Sequence, residues 1–300
     1  MNILITGAKG QLGNELRRLI ETGEAEIGPV PVQYREAMVD YVDVEDLDIT
    51  DTEQVEEFFS RNSYDLVING AAMTNVDGCE TQEDLAYRVN AKGPQLLALA
   101  CKQLNAKFVQ VSTDYVFPGT DSRPRVERDA TAPVSAYGRT KLAGEVLARE
   151  AWEKTFVVRT AWLYGYVGHN FVKTMLGLAK IHDSVTVVND QWGNPTSAND
   201  LAYEILKIAL GDDYGVYHCT NNGTCSWCEF ASAIMSDAGA DCRVVGCSSE
   251  EYAQNNPKSA SRPAFSSLRN KHLEDTIGDE MRSWQDALAT YLKNTADSEG

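Results

Sequence analysis

A phenol and an ammonium group stand four residues apart in the stretch SAYGRTKLAGE, residues 135–145. A helix would place both groups, Tyr137 and Lys141, on the same face. A free tyrosine has a pKa of about 10 and cannot cycle protons readily at neutral pH. An ammonium about 4 Å away would stabilise the phenolate by about 4 kcal/mol at an effective dielectric constant of about 20, before solvent screening. A phenol tuned in this way can protonate a carbonyl oxygen as a hydride arrives, or take the proton in reverse.

A hydroxyl group at a strand end is the third member expected of this site. The apolar run KFVQVST, residues 107–113, predicts a strand that ends at Ser112 and Thr113. Ligands of open α/β sheets bind at the carboxyl ends of the strands. We therefore expect a hydroxyl here to donate to the same carbonyl oxygen; the alternative is a threonine that only caps the strand.

Three glycines, Gly7, Gly10 and Gly13, separate the first apolar run from a helical pattern at residues 11–21. Glycines there allow a tight turn and let backbone N–H groups approach a pyrophosphate at a helix N-terminus. The strand before the loop and the helix after it are the context that a dinucleotide site requires. The alternative is an ordinary strand–helix turn.

The residue that selects NADH or NADPH is harder to find. An acid at the tip of the second strand would bind the ribose 2′-hydroxyl and select NADH. Residues 30–51 show no clean strand-end acid, and Arg35 could meet a 2′-phosphate. We expect Asp48 at the adenine amine and Ile49 against its ring; the alternative for Asp48 is a turn cap. The preference stays open at this point.

Short apolar runs alternate with helical patterns through the first half of the chain. Strands are predicted at 2–6, 65–70, 107–113 and 155–162, and helices at 11–21, 51–61, 81–104 and 136–152. This alternation predicts a Rossmann-like, doubly wound parallel sheet. The looser pattern after residue 165 predicts a smaller C-terminal α+β region. We expect an NAD(P)-binding domain over 1–165 and a mainly substrate-binding region over 166–300, with segments that interleave, and a loop at 247–267.

Composition and charge exclude several classes of protein. The chain has 300 residues, 43% of them hydrophobic, which is enough for one or two closely packed domains. A net charge of −17 argues against a nucleic-acid partner. The sequence shows neither a membrane-length apolar window nor a signal peptide, so we expect a cytoplasmic protein without a membrane partner. Seven scattered cysteines predict free thiols.

These features together resemble the extended short-chain dehydrogenase/reductases and, within them, the dTDP-4-dehydrorhamnose reductase family, nearly from end to end. The stretches that carry the resemblance are GAKGQLG (7–13), LDITD (47–51), VINGAAMTNVD (67–77), STDYVFPG (112–119), YGRTKLAGE (137–145), RTAWLYG (159–165), NFVKTML (170–176), DQWGNPT (190–196) and RPAFSSL (262–268). STDYVFPG and DQWGNPT are particularly specific to this reductase branch.

The resemblance implies reduction of the 4-keto group of dTDP-4-dehydro-L-rhamnose to dTDP-L-rhamnose with NADPH or NADH, for cell-surface polysaccharide. It implies a catalytic set in which Thr113 binds the carbonyl oxygen, Tyr137 donates the proton, and Lys141 holds the nicotinamide ribose and lowers the tyrosine pKa. The implied cofactor residues are Gly7, Gly10, Gln11, Leu12, Gly13, Asp48, Ile49, Ala71, Ala72, Asn90, Ser112, Tyr137 and Lys141. The implied substrate residues are Thr113, Asp114, Tyr115, Trp162, Asn170, Lys173, Gln191, Pro195 and Arg262.

One sequence position distinguishes carbonyl reduction from elimination among related enzymes. Nucleotide-sugar 4,6-dehydratases of this superfamily carry Asp-Glu after the strand-end threonine, whereas here Asp114 is followed by Tyr115. The resemblance therefore favours carbonyl reduction over elimination. Two alternatives stay open: another nucleotide-sugar reductase or epimerase, and a non-catalytic regulatory subunit related to a partner of methionine adenosyltransferase. The intact catalytic set argues against the subunit.

The resemblance also bears on metal content and on oligomeric state. Some relatives are magnesium-dependent dimers, but we predict no metal ligands and expect a monomer or a homodimer. Cys225 and Cys228 have the spacing of a zinc or redox pair. Relatives usually lack these cysteines, so we expect structural thiols.

Overall fold

A six-stranded parallel sheet forms the centre of the computed structural model, which describes residues 1–257 and 259–299. The strands are β1 (Asn2–Thr6), β2 (Glu24–Ala25), β3 (Gly28–Pro29), β4 (Met38–Val42), β5 (Leu66–Asn69), β6 (Lys107–Thr113), β7 (Thr155–Thr160), β8 (Leu163–Tyr164), β9 (Ser184–Val188), β10 (Trp192–Gly193), β11 (Thr196–Ser197), β12 (Gly215–His218), β13 (Cys225–Ser226) and β14 (Arg243–Cys247). The helices are α1 (Gln11–Thr22), α2 (Thr52–Arg61), α3 (Val76–Thr81), α4 (Glu83–Tyr87), α5 (Gly93–Leu104), α6 (Ala136–Ala151), α7 (Phe171–Ala179), α8 (Ala198–Leu210), α9 (Trp227–Asp237), α10 (Ser249–Asn255), α11 (Lys271–Asp275) and α12 (Trp284–Glu299). Two 3₁₀ turns (Val32–Tyr34 and Asp114–Val116) and a π-helix (Arg88–Lys92) complete the set.

The strand order of the central sheet is β12-β7-β6-β5-β1-β4, and every neighbouring pair is parallel. Ile3, Leu4 and Ile5 of β1 are fully buried, as expected for a strand covered on both faces. The chain runs outward in one direction from β1 to β4 and in the other from β5 to β12. The change of direction leaves a crevice at the carboxyl ends of β1 and β5, where ligands of such sheets bind. The predicted fold class is confirmed.

Helices cover both faces of the sheet. The core on one face joins α1 and α8, for example through Leu16 and Leu201. The core on the other face joins α2, α5 and α6, with Phe59 and Leu97 among its members. Both α8 and β12 follow residue 165 in the chain and yet belong to the central body. The boundary near residue 165 stays a prediction.

Helix α6 approaches the rest of the site unusually closely. Ser135 caps its N-terminus by accepting a hydrogen bond from the Gly138 N–H at 3.2 Å. A Cβ at Gly138 would collide with the Tyr115 carbonyl oxygen, and one at Gly144 with the Asn90 carbonyl oxygen. Glycine at both positions therefore lets α6 lie against the end of β6 and against the π-helix.

A third core unites α7, α9, α12 and β9, with Phe230 fully buried among them.

The predicted loop at 247–267 is wrong in its first part, because α10 begins there. Ser248 and Glu251 form a capping box at its N-terminus, a Ser-x-x-Glu signal that is visible in the sequence. Among the helices of the described residues, none combines the length and the apolar character needed to span a membrane.

Candidate active site

A cleft of about 850 Å³ opens at the carboxyl ends of β1, β5, β6 and β7. Most predicted site residues line it: Gly7, Gly10, Gln11, Leu12, Gly13, Asp48, Ile49, Ala71, Ala72, Ser112, Thr113, Asp114, Tyr115, Tyr137, Lys141 and Trp162. The glycine loop forms one end of the cleft, and the tyrosine–lysine helix forms its opposite wall.

The glycine loop has the shape of a pyrophosphate cradle. Gly7 has a φ of 67°, and a Cβ there would lie 2.7 Å from the Ala71 nitrogen. A Cβ at Gly13 would meet the backbone of Ala8 at 2.6 Å. The loop therefore packs against the end of β5 only because side chains are missing, and it leaves the N-terminus of α1 open to an anion. These residues fit a dinucleotide.

An acidic residue that the sequence analysis missed lies at the adenosine end of the cleft. Strand β4 ends at Val42, and the next residue, Asp43, lines the cleft. Its carboxylate accepts hydrogen bonds from the backbone N–H groups of Lys9 at 3.0 Å and Val44 at 2.9 Å. Lys9 also lines the cleft, and its ammonium pairs with Glu45 at 2.8 Å. Asp43 thus occupies the strand-tip position that binds a ribose hydroxyl in dinucleotide folds.

Arg35, by contrast, follows the 3₁₀ turn Val32–Tyr34 and lies outside the set of cleft-lining residues. Asp48 lines the cleft and also caps a turn, since its Oδ1 accepts from the Thr50 N–H at 2.9 Å and hydroxyl at 2.8 Å. The turn cap is therefore observed, and the contact of Asp48 with the adenine amine stays a prediction.

The three predicted catalytic residues meet at the end of β6. Thr113 is the last residue of β6, and its hydroxyl donates to Asp114 Oδ1 at 3.0 Å. Burial raises the pKa of the Tyr137 phenol well above its ordinary value, and a hydrogen bond with Thr113 acts in the opposite direction. Ser112 is buried, and its hydroxyl donates to Glu145 at 2.5 Å.

The Lys141 amine is buried and donates a hydrogen bond to the Val111 carbonyl at 2.7 Å. Burial lowers the pKa of Lys141 to about 8, while Glu145 and Cys79 act in the opposite direction. Burial raises the pKa of Tyr137 overall, and the lowering effect expected of the lysine stays a prediction. The phenol is therefore protonated at neutral pH, as a proton donor must be.

Asp114 is 2% exposed, and burial raises its pKa to about 6, against hydrogen bonds from Ser266 and Thr113. The neighbouring Tyr115 ring packs edge-on against Tyr137, with ring centroids 5.5 Å apart. A carboxyl group and an aromatic edge thus flank the proposed proton donor.

Two indoles form one wall of the cleft. Trp162 has a φ of 46°, a conformation that is rare for a bulky residue, and its ring stacks on Trp227 with centroids 3.5 Å apart. Gly193 allows this stack, because a Cβ there would lie 2.5 Å from the Trp162 ring. Trp227 lines the cleft and was missed, since its position in α9 carried no local signal of a site.

Asn90 lies behind the cleft rather than in its lining. Its side-chain amide donates to the Met73 carbonyl at 3.0 Å and to the Thr140 hydroxyl at 3.2 Å, and its Oδ1 accepts from the Met73 N–H at 2.8 Å. Asn90 therefore fixes the segment after β5 to α6. It lies outside the set of cleft-lining residues, and its role toward a cofactor stays a prediction.

Five residues predicted to contact the substrate also lie outside the set of cleft-lining residues, namely Asn170, Lys173, Gln191, Pro195 and Arg262. Asn170 caps α7 and donates to Gln11 Oε1 at 3.1 Å, and the Lys173 amine donates to the Tyr166 carbonyl at 2.6 Å. Pro195 is buried in the turn between β10 and β11, and Gln191 donates to the Ser249 hydroxyl at 2.9 Å. Arg262 pairs with Asp77 at 3.6 Å. Their roles toward a substrate stay predictions.

The seven cysteines are free thiols in the structure. Burial raises the pKa of both Cys225 and Cys228, which opposes thiolate formation. Within residues 1–257 and 259–299, no group of three or more His, Cys, Asp and Glu side chains could hold a metal ion.

Residues 1–296 match the family described as the RmlD substrate binding domain. A dTDP-4-dehydrorhamnose reductase of Mycobacterium tuberculosis is 40% identical over 304 residues, which cover 99% of this chain and 94% of the relative. The crystal structure of a dTDP-4-dehydrorhamnose reductase from Clostridium acetobutylicum is similar, with 46% identity, a TM-score of 0.92 and coverage of 99% of this chain and 100% of that one. One from Bacillus anthracis, solved in complex with NADP, has 38% identity, a TM-score of 0.90 and coverage of 98% and 99%. The chain belongs to the dTDP-4-dehydrorhamnose reductase family.

Proposed function

We propose that this protein reduces the 4-keto group of dTDP-4-dehydro-L-rhamnose to give dTDP-L-rhamnose, with NADPH or NADH as the reductant. The observation that carries the proposal is the meeting of Thr113, Tyr137 and Lys141 in one cleft with the glycine cradle. The cradle fits a dinucleotide pyrophosphate, and the hydroxyl pair fits a carbonyl oxygen.

When bound, the reduced nicotinamide supplies a hydride to the carbonyl carbon. The backbone of Gly7 and Gly10 and the N-terminus of α1 hold the pyrophosphate, and Asp43 accepts from the adenosine ribose. The Lys141 ammonium uses one of its three N–H donors on the Val111 carbonyl, and another would donate to the nicotinamide ribose. Lys141 thereby orients the cofactor in the proposed complex.

Tyr137 supplies the proton to the carbonyl oxygen. Its raised pKa keeps the proton on the phenol until the oxygen becomes basic. The phenolate that remains is stabilised by the hydrogen bond with Thr113 and, as we propose, by the positive charge on Lys141 one helical turn away. Solvent restores the proton to Tyr137 after product release.

The substrate occupies the part of the cleft between Asp114 and the two indoles. Ionised Asp114 accepts a hydrogen bond from a sugar hydroxyl, and the Trp162–Trp227 stack offers an apolar surface to the 6-deoxy sugar. Arg262 would reach the diphosphate after leaving Asp77. Tyr115 supplies no carboxylate for elimination, which favours reduction over dehydration.

The test is a coupled assay in which the 4-keto sugar nucleotide is generated enzymatically and then mixed with this protein. Loss of reduced-nicotinamide absorbance is followed separately with NADPH and NADH, and the product is identified by NMR. Production of dTDP-L-rhamnose supports the proposal. A folded protein that binds either cofactor but oxidises neither with this substrate would contradict it, and other 4-keto sugar nucleotides would then be tried.

A further inference from the structure

A buried carboxylate that the proposed mechanism does not use lies one helical turn beyond Lys141. Glu145 is 2% exposed and lies on α6 four residues after Lys141, which is 4% exposed. Residues at this spacing share a helix face. The same face of α6 therefore presents to the sheet first the proposed proton donor Tyr137, then the amine, then the carboxylate.

Three neighbouring strands place a row of polar residues beneath this carboxylate. Ser112 of β6 is the register partner of Arg159 of β7, and Arg159 is the partner of His218 of β12. Glu145 Oε1 accepts from the Ser112 hydroxyl at 2.5 Å and from Arg159 Nε at 2.9 Å, and its Oε2 accepts from Arg159 Nη2 at 2.6 Å. The carboxylate is thus held by three donors, two of them from a bidentate guanidinium.

His218 fixes the guanidinium from the far side. Its Nδ1 lies 3.1 Å from the Arg125 carbonyl and 3.2 Å from the Arg269 carbonyl, so Nδ1 is the protonated nitrogen. The Nε2 atom then accepts from Arg159 Nη1 at 3.4 Å. Burial and Arg159 lower the pKa of His218 to about 3, which keeps this imidazole neutral in its accepting form.

The row is also connected to the catalytic residues. Ser112 lies between Val111, whose carbonyl accepts from the Lys141 amine, and Thr113. The titratable groups that act on this amine are Glu145 on its own helix and Cys79 on α3, and burial raises the pKa of the Cys79 thiol and so favours its neutral form. Of these two groups Glu145 has the larger effect on the amine, and its carboxylate is the negative half of the buried pair with Arg159.

We propose that Glu145 is a positioning residue for the proposed reduction: its carboxylate, fixed by Ser112 and Arg159, holds the positive charge on the buried Lys141 amine. This inference rests on the proposed function for its catalytic meaning. Burial alone drives the amine toward its neutral form, which would donate more weakly to a ribose and stabilise a phenolate less. A buried ion pair is by itself weak evidence that the pair stabilises the fold. A role of Glu145 in keeping Lys141 charged can therefore be tested against a purely structural role.

The experiment compares the titration of Lys141 in the unsubstituted protein and in Glu145→Gln and Glu145→Asp, each labelled with [ε-¹³C]lysine. The Lys141 resonance is assigned by its loss in Lys141→Met. We expect Glu145→Gln to lower the titration midpoint by at least about half a pH unit. Glu145→Asp retains the charge and should restore most of the midpoint. The matched control is Glu204→Gln, which removes another fully buried helical carboxylate outside the cleft and should leave the midpoint unchanged.

Glu145→Gln leaves Arg159 buried without its partner and could fail to fold. The double variant Glu145→Leu, Arg159→Met removes both charges together and should show the same downward shift. Folding of each variant is checked by thermal denaturation. An unchanged midpoint in whichever of these two variants folds would overturn the proposal, and so would a shift of equal size in Glu204→Gln.

The kinetic readout is the alkaline limb of kcat/KM for sugar reduction, which should move down together with the Lys141 midpoint. A structural role alone would lower the rate at every pH and leave the limb in place. The titration is done on the cofactor-free protein and needs no turnover. Absence of sugar reduction would therefore count against the proposed function, while the Glu145–Lys141 coupling would still be measured.

Discussion

Burial shifts the pKa values of Tyr137 and Lys141 in opposite directions although the two residues lie one turn apart on α6. The pKa of the phenol rises well above its ordinary value, and that of the amine falls to about 8. Each group is thereby moved toward its uncharged form. At neutral pH the phenol holds its proton while most of the amine is still charged, which suits reduction. This combination of a protonated phenol and a charged amine is lost as the pH rises through about 8, because the amine then loses its charge.

The first prediction concerns the proton donor. Tyr137→Phe keeps the ring that packs against Tyr115 but removes the hydroxyl that we propose to protonate the carbonyl oxygen. We expect kcat/KM for the sugar nucleotide to fall by about 10²- to 10⁴-fold. Cofactor affinity, measured by quenching of tryptophan fluorescence, should change by less than about threefold. Turnover at the original rate would remove the assignment of Tyr137.

The second prediction concerns the acid limb of the pH profile. Asp114 has a pKa raised to about 6, so it is ionised above that pH and becomes a poorer acceptor for a sugar hydroxyl as the pH falls through 6. We expect KM for the sugar nucleotide to rise below about pH 6. Asp114→Asn should have a raised KM at pH 7.5 and no such limb. Persistence of the limb in the variant would assign it to another group.

The third prediction concerns cofactor choice. Asp43 lines the cleft at the strand tip where we propose that a ribose 2′-hydroxyl binds, and its carboxylate would repel a 2′-phosphate there. Asp43→Asn should shift the ratio of the NADPH and NADH dissociation constants toward NADPH by about tenfold, equivalent to about 1.4 kcal/mol. Lys9→Ala should shift it the other way, because Lys9 is the cation in the same part of the cleft. The control is Arg35→Ala, and a change in the ratio there instead would indicate that Arg35 meets the 2′-phosphate.

The fourth prediction concerns stability. Burial and the nearby Glu280 raise the pKa of Glu204 to about 7, against the attraction of Lys207. Because the folded-state pKa lies above the unfolded one, this contribution is fully present below about pH 4.3 and is lost as the pH rises through 7. Glu204→Gln should therefore gain in Tm, relative to the original protein, as the pH increases from 5 to 8. Parallel Tm curves over this range would show that Glu204 does not titrate on unfolding.

The site could be predicted from the sequence where its chemistry lies in short contiguous patterns. The glycine loop, the strand that ends at Thr113 and the Tyr137–Lys141 spacing are each local, and the structure brings them together as parallel strands require. Asp43 was not predicted, because the β2–β3 hairpin and a 3₁₀ turn separate α1 from β4 and hide where the second strand ends.

Other features depend on contacts between distant parts of the chain. The stack of Trp162 on Trp227 joins residues from separate elements, and Gly193 is needed for it to form. The bond from Lys141 to the Val111 carbonyl and the effect of burial on Tyr137 likewise appear only once the helix is packed on the sheet. Spacing alone predicted the Tyr137–Lys141 pair, but it could not predict the rise in the tyrosine pKa that burial causes.

The π-helix Arg88–Lys92 contains one residue more per turn than an ordinary helix. One residue corresponds to a rotation of about 100° about the axis. The faces of α4 and α5 are therefore out of phase, and Asn90, at the step between them, is turned toward Met73. Removing a single residue there would bring the two helices into phase and rotate the amide out of place, so the site depends on the residue count of this helix as well as on its composition.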